Sequence, residues 1–304
     1  DHRDLHSFPT RRSSDLRRRF MSLLVRDLVK MGETQLKKSR CPDPKNDAEI
    51  LYCYMRNIDR NQFIMEWSEI VDDRICDKYF DLIAERSTRR PLQHITGTQN
   101  IMGLDFGIRE DVLIPRMDTE ALIVKAEEII KKKGKASVLD ICCGSGCVGI
   151  SLAARNKGVK LTMADISPAA KALAEANAKK FGIKTDVLLG DLFAPVKKKY
   201  HIIVSNPPYI PSAVLETLED EVKRFEPKEA LDGGALGLDF YERIIKEAPL
   251  HLKKEGWLVL EIGHDQAAQV RTITEETNLY EEYETAKDLA GKTRVFAARI
   301  KGKR

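Results

Sequence analysis

Residues 138–149 read Val138-Leu139-Asp140-Ile141-Cys142-Cys143-Gly144-Ser145-Gly146-Cys147-Val148-Gly149. The mostly apolar Val138-Leu139-Asp140-Ile141 is strand-sized, the Cys-Cys-Gly-Ser-Gly segment is a turn, and the pattern from Cys147 to Arg155 predicts a helix. Small residues at a strand-to-helix turn let a ligand approach the backbone, where the free N–H groups of the helix start face it. Nineteen residues beyond Gly146 stands Asp165, at the end of the next expected strand, Leu161 to Asp165. An acid there can accept hydrogen bonds from the 2′- and 3′-hydroxyls of an adenosine ribose. The spacing therefore favours a nucleoside site over a bare turn. Gly149 also completes a literal G-x-G-x-x-G, so the loop alone leaves a dinucleotide site open.

Outward from this unit the alternation continues. Helices are expected from about Asp118, capped by Asp118 or Thr119, to Lys133 and from Pro168 to Phe181. Strands are expected at 187–189, 202–204, 258–262 and 295–299. Alternation of this kind predicts an open, mostly parallel α/β sheet covered by helices on both faces. Upstream, residues 21–88 lack glycine almost entirely and repeat apolar residues at three- and four-residue spacing, as in Ile50, Leu51, Tyr54 and Ile58. That predicts a small helical bundle, with a loop at Cys41-Pro42-Asp43-Pro44 and Asn46 or Asp47 capping the next helix. Between the two, Gly97, Gly103 and Gly107 punctuate strand-and-turn material that reads as a hairpin linker over 89–115.

The bulk numbers exclude several classes. No apolar run approaches the ~20 residues of a membrane span. The net charge of +4 comes mostly from residues 1–20, which hold six Arg and three Asp; the remainder has 45 basic and 44 acidic residues. That leader has no signal-peptide core, and we read it as non-native sequence ahead of a start at Met21, the alternative being a basic arm. The near-neutral remainder argues against a nucleic-acid substrate. The six cysteines form no C-x-x-C pair and have no histidine at zinc spacing, so reduced thiols and no metal site are expected.

A second motif separates the nucleoside readings. Asn206-Pro207-Pro208-Tyr209 follows the expected strand Ile202-Ile203-Val204-Ser205, and the carboxyl end of such a strand is where α/β sheets bind ligands. Two prolines remove two backbone donors and fix the chain, leaving carbonyls as free acceptors. The Asn206 amide oxygen is another acceptor and Tyr209 an aromatic wall, so the pocket suits an –NH₂ group on a planar system.

With these residues the chain resembles the class I methyltransferases that carry Asn/Asp-Pro-Pro-Tyr, and within them the HemK/PrmC family of protein-(glutamine-N5) methyltransferases. The resemblance runs from about Asp47 to Ile300 through ordered blocks. They include Pro91 to Gly97, Val112 to Arg116, Asp118-Thr119-Glu120, the glycine loop, Asp165-Ile166-Ser167-Pro168, Gly190-Asp191-Leu192-Phe193, Asn206 to Pro211, Glu226-Pro227, and Glu261-Ile262-Gly263. Four positions depart from the family pattern. Cys142 and Cys143 stand at the first Gly and the Thr of D-x-G-T-G-S-G, Met117 at a proline, and Leu236 at an acid. A side chain at Cys142 leads us to expect a negative φ there.

The resemblance implies a Rossmann-like S-adenosylmethionine-dependent methyltransferase domain over 116–304 and a helical substrate-docking domain over 21–88. It implies a cytoplasmic enzyme, with no membrane and no direct nucleic-acid substrate, acting on the Gly-Gly-Gln glutamine of class 1 peptide chain release factors. Asp140, Cys142, Cys143, Gly144, Ser145 and Gly146 would hold the methionine end of S-adenosylmethionine, Asp165 its ribose, and Asp191 and Leu192 its adenine, with Asn206 beside it. Asn206, Pro207, Pro208 and Tyr209 would bind the substrate amide, and Asn206, Pro207 and Tyr209 would carry the chemistry. Competing expectations are a glutamine methyltransferase of a ribosomal protein, an adenine-N6 methyltransferase of DNA or RNA, and a non-catalytic nucleoside-binding module.

Overall fold

The computed structural model describes residues 23–302; the leader at 1–20 lies outside them. Two compact units meet in sequence between Thr96 and Gly97.

The first unit contains α1 (Val25–Lys38), α2 (Pro44–Arg56), α3 (Arg60–Glu66), α4 (Asp73–Ser87) and α5 (Leu92–Thr96). Its core gathers Leu28, Leu36, Leu51, Tyr52, Phe63, Tyr79 and Ile83. The Tyr79 hydroxyl donates to the Ala48 carbonyl at 3.1 Å, and a Cβ on Gly32 would lie 2.3 Å from that hydroxyl, so α1 and α4 approach closely only because Gly32 has none. The cap of α2 differs from expectation. The helix starts at Pro44 with Asp43 as its N-cap, because proline fits a first helical position that needs no N–H. Asp47 falls inside the helix and pairs, buried, with Arg86 at 2.8 Å. Residues 92–96, read as strand-and-turn material, form a helical turn whose Leu92 and Ile95 enter the bundle core. Their backbone N–H groups gain a helical start from the carbonyl of Pro91, which accepts from Ile95 and His94.

The second unit opens with the antiparallel hairpin β1 (Thr98–Ile101) and β2 (Leu104–Gly107). There follow a 3₁₀ turn at Met117–Thr119, α6 (Glu120–Lys133), β3 (Ala136–Ile141), α7 (Cys147–Arg155), β4 (Val159–Asp165), α8 (Pro168–Lys180), β5 (Thr185–Leu189) and β6 (Tyr200–Ser205). After β6 come α9 (Asp220–Phe225), α10 (Asp239–His251), β7 (Leu252–Glu261), α11 (Ala267–Glu276), β8 (Tyr280–Lys287) and β9 (Thr293–Ile300). One seven-stranded sheet runs in the order β5-β4-β3-β6-β7-β9-β8. The pairs from β5 to β7 are parallel, whereas β9 is antiparallel to both β7 and β8.

Strand alternation sends side chains to opposite faces. On β3, Ala136 and Val138 enter one core with α6 and α7, while Leu139 and Ile141 enter the other with α10 and α11. A strand buried on both faces is apolar without alternation, as Val138, Leu139 and Ile141 are, with Asp140 the exception. β4 lies on one side of β3 and β6 on the other, which makes the carboxyl ends of these strands a switch point where α/β sheets bind ligands. The reversed β9 between β7 and β8 departs from the 3-2-1-4-5-6 order of dinucleotide folds.

Candidate active site

The glycine loop is held by the acids on either side of it. Asp140 is buried, and its Oδ2 accepts the backbone N–H of Gly149 at 2.8 Å, one of the donors that a helix start leaves without partners. A Cβ on Gly149 would lie 3.0 Å from that oxygen and 2.7 Å from Leu161. The third glycine therefore serves close packing. Burial pushes the Asp140 carboxyl up to about 7 against the pull of the Gly149 N–H. Asp165, at the end of β4, accepts from Gly144 N through Oδ2 and from Ser167 N through Oδ1, both at 2.9 Å. Burial raises its pKa while those N–H groups oppose the rise. Each oxygen retains a further acceptor site.

Cys142 departs from expectation: its φ is +56°, in the left-handed region that favours glycine. The loop must reverse between the end of β3 and Gly144, also left-handed at +54°, and the thiol side chain is accommodated against the core beneath. Cys143 donates its backbone N–H to Ala164 O and accepts from Gly146 N. Burial pushes the Cys142 and Cys147 thiols up to about 12 and Cys143 well above its ordinary value, so all three stay protonated. Ser145 is buried, and its carbonyl accepts from Asn177 Nδ2 at 2.9 Å. The same Asn177 holds the hairpin, accepting from Gly107 N at 2.8 Å and donating to Gly107 O.

Beyond β5, Leu192 is buried with a φ of +46°. Asp191 is exposed and pairs with Arg243 at 2.6 Å. Exposed Ile166, next to Asp165, adds an apolar surface at the same sheet edge.

Asn206, Pro207, Pro208 and Tyr209 leave the end of β6, with both prolines buried. Asn206 Nδ2 donates to Thr119 Oγ1 at 3.3 Å, and among the described residues no donor is recorded on its Oδ1. The Tyr209 hydroxyl donates to Glu261 Oε1 at 3.2 Å. Glu261, at the end of β7, is 1% exposed. Burial pushes its carboxyl up to about 7, opposed by the hydrogen bond from Tyr209 and by the charge of Arg294, and its Oε2 has no hydrogen-bond partner among the described residues. Arg294 itself bridges Asp118 at 3.0 Å and Asp288 at 3.4 Å. The glycine-rich segment behind the motif packs backbone on backbone. A Cβ on Gly237 would lie 2.3 Å from Tyr209 O, and one on Gly233 2.7 Å from Tyr209 Cα. Gln266 ties the two together, donating to Tyr209 O and Gly237 O.

The expected site residues thus lie at the carboxyl ends of β3, β4, β5 and β6. Thr119, Glu261, Gln266 and Arg294 received no role from the sequence. Thr119 was expected only as a cap; it occupies the N-cap position of α6 but makes no side-chain cap bond, because its hydroxyl is turned to Asn206. The sequence signals for Glu261 were its charge at the end of a strand otherwise apolar from Trp257 to Leu260 and its place in the Glu261-Ile262-Gly263 block. Glu226 is a further buried acid, accepting from Ile114 N at 3.1 Å and pairing with Arg116.

The chain matches known proteins over most of its length. Residues 27–97 match the family described as PrmC N-terminal domain, and residues 118–222 that described as Methyltransferase small domain. The release factor glutamine methyltransferase of Clostridium botulinum is 38% identical over 282 residues, spanning 91% of this chain and 99% of that protein. The chain belongs to the release factor glutamine methyltransferase family. Its Geobacter sulfurreducens member is 44% identical over 220 residues, covering 72% of this chain and 76% of that one. At the level of fold alone, the hMettl16 catalytic domain superposes with a TM-score of 0.52 at 16% identity, over 72% of this chain and 81% of that one. Among the described residues no helix is long and apolar enough to cross a membrane.

Proposed function

We propose that this chain transfers a methyl group from S-adenosylmethionine to the side-chain amide nitrogen of the glutamine in the Gly-Gly-Gln loop of a class 1 peptide chain release factor, in the cytoplasm. The observation that carries the chemistry is Asn206. Its NH₂ is engaged by Thr119, which directs its oxygen, an acceptor, to the substrate side.

The residues present fit the cofactor. Asp165 has acceptor capacity for two ribose hydroxyls beyond its two backbone partners, and Ile166 offers apolar area for a purine. Asp191 would reach an adenine amino group only by sharing its carboxylate with Arg243, while Leu192 supplies backbone at a left-handed turn. The 142–146 loop would meet the methionine end, with Asp140 bracing it from below. When bound, S-adenosylmethionine supplies a sulfonium methyl that is electrophilic without further activation.

An amide nitrogen is a poor nucleophile because its lone pair is delocalised into the carbonyl. Asn206 Oδ1 and the Pro207 carbonyl each accept one N–H of the substrate amide, with Tyr209 alongside its plane. That fixes the direction of the nitrogen lone pair and stabilises the positive charge that develops on nitrogen. The alkylated nitrogen is strongly acidic, so its excess proton passes to water and no strong base is required.

The bundle of the first unit is read as the docking element for the release factor body. It exposes Ile64, Met65 and Ile70 beside Trp67 and Tyr54, apolar area of the kind that marks interaction sites. A slim glycine-flanked loop can enter a narrow pocket, but its ordering cost favours a second grip elsewhere.

Mass spectrometry of release factor after incubation with enzyme and S-adenosylmethionine tests the reading. A gain of one methyl group on the Gly-Gly-Gln glutamine is expected, and its loss in Asn206→Ala. Methylation of a ribosomal protein or of nucleic acid, with release factor untouched, would replace it.

A further inference from the structure

We infer that Glu261 is a positioning residue for methyl transfer: by accepting the Tyr209 hydroxyl it fixes the plane of the Tyr209 ring, and through that ring the plane of the substrate amide. This extends the proposed place of Tyr209 beside the amide and rests on it.

The backbone of Tyr209 is held without any help from its side chain. Gln266 Nε2 donates to its carbonyl at 3.0 Å, and Gly233 and Gly237 pack so closely on it that a Cβ on either would clash. These contacts fix where the chain runs, but they leave the side-chain torsions of a tyrosine free to move among their wells. The ring is half-buried, packed against the core that contains Tyr241 and Ile262. Among the described residues its hydroxyl makes one hydrogen bond, to Glu261 Oε1 at 3.2 Å. With the chain pinned at one end and the hydroxyl at the other, the ring keeps one orientation.

Glu261 is well placed for that task. The final β6–β7 pair joins Ser205 to Leu260, so Glu261 stands level with Asn206, the first residue of the motif. Its own backbone is locked on the far side, where it pairs with Val295 and its carbonyl accepts from the Tyr241 hydroxyl at 3.2 Å. The carboxylate therefore hangs from a rigid strand rather than a loop.

The fold itself gains little from an acid at this position. Glu261 follows the apolar Trp257-Leu258-Val259-Leu260, is 1% exposed, and has no hydrogen-bond partner on Oε2 among the described residues. A buried acceptor left unpaired costs stability, a cost that an apolar side chain of similar length would not carry. What the carboxylate does supply is an acceptor for the Tyr209 hydroxyl.

The ring matters because an amide lying flat on an aromatic face turns with it. Asn206 Oδ1 and the Pro207 carbonyl take the two N–H groups of the substrate only when the amide lies in their plane. A tilted ring would swing the nitrogen lone pair away from the sulfonium methyl. Glu261 acts through Tyr209 and touches neither substrate nor cofactor.

The test compares Tyr209→Phe, Glu261→Leu, Glu261→Gln and the double variant Tyr209→Phe/Glu261→Leu with the wild type. Rates are taken per S-adenosylmethionine-binding site, so that unfolded protein does not count. Tyr209→Phe and Glu261→Leu are each expected to lower kcat by roughly tenfold or more, since a misplacement of about 1 Å can cost 10²-fold, with cofactor affinity unchanged. The double variant should be no slower than the slower single one, because both changes remove the same bond. Glu261→Gln keeps an oxygen for the hydroxyl and should stay within about threefold of wild type, well short of that loss. In protein carrying fluorotyrosine, the Tyr209 signal, assigned by its absence from Tyr209→Phe, should shift or broaden in Glu261→Leu and keep its position in Glu261→Gln. A purely structural Glu261 would lower the melting temperature of Glu261→Leu and leave kcat per site and the Tyr209 signal unmoved, which would overturn the inference. Losses that add in the double variant would overturn it too, as would a wild-type rate in Tyr209→Phe, whether or not Glu261→Leu folds. Failure of the wild type to methylate glutamine would sink the proposed function instead, and the fluorine signal would still decide whether Glu261 holds the ring.

Discussion

Gln266 Nε2 lies 3.0 Å from the carbonyl oxygen of Tyr209 and 3.2 Å from that of Gly237. Its Oε1 accepts from Gly263 N at 2.9 Å and from the Tyr241 hydroxyl at 3.2 Å. All four bonds available to the side chain are made, and the residue is buried. Gln266→Leu keeps the volume but leaves two donors and two carbonyls with a lost partner. Each buried orphan costs about 1–3 kcal/mol, so a loss of several kcal/mol is expected in urea denaturation. A stability equal to wild type would show that water replaces the clamp.

Asp165 holds the Gly144 and Ser167 N–H groups, and in the proposed site its remaining lone pairs take the ribose. Asp165→Asn keeps an acceptor for the loop and removes the charge. It should weaken S-adenosylmethionine binding by on the order of 2–3 kcal/mol with little change in melting temperature. Asp165→Ala should lose both. Unchanged affinity in calorimetry would move the ribose elsewhere.

The left-handed φ of Cys142 makes a graded test of the loop. A β-branched residue at positive φ is a severe outlier, so Cys142→Val is expected to destabilise the protein by about 1–3 kcal/mol. Cys142→Gly should stay within about 1 kcal/mol of wild type, since relief of backbone strain offsets lost packing and chain entropy. Equal stability of all three proteins would refute the backbone assignment.

Carboxyl burial sets the pH dependence of stability. Asp140 rises from 3.8 and Glu261 from 4.5, each to about 7. A folded-state pKa above the unfolded one means that the folded protein binds more protons in between. The stability contributed by each acid is full below its unfolded value and is lost as pH rises through about 7. Glu261→Gln carries no such titration. Its stability relative to wild type should therefore improve between pH 5 and 8, as followed by urea midpoints. A constant difference across that window would mean that Glu261 titrates normally.

Docking through the bundle predicts a split between substrates. Met65→Asp and Ile70→Asp, both at exposed positions, should raise KM for whole release factor several-fold or more and leave cofactor affinity unchanged. An unaltered KM in the double variant would assign the grip to another surface.

Much of this architecture was legible locally. Val138, Leu139 and Ile141, buried on both faces around the single acid Asp140, had to read as an apolar strand, and the glycines after it had to mark the turn. The helix from Cys147 to Arg155 begins and ends where its pattern does. The strand at Tyr280–Lys287 escaped because its Tyr-Glu-Glu-Tyr-Glu text is that of an edge, where only Tyr280 is fully buried and bulges break the alternation. The partners behind the Asn206 motif escaped for a different reason. Thr119 lies 87 residues before Asn206 and Glu261 52 residues after Tyr209, so each meets its partner only in the folded sheet. A side-chain hydrogen bond of that span leaves no periodicity in the sequence. A carboxylate at a strand end and a threonine before a helix each have an ordinary local explanation.

Asn177 gives the hairpin a mechanical relation to the glycine loop. One short, buried side chain is bonded to both backbone groups of Gly107 and to the carbonyl of Ser145, and α8 holds it in register. Hairpin and loop therefore share an anchor with few soft torsions between them. A displacement of β2 that keeps these bonds must carry Asn177 with it and so pull on the carbonyl of Ser145. The hairpin is thus a handle on the loop, and whatever steadies the one also narrows the thermal excursions of the other.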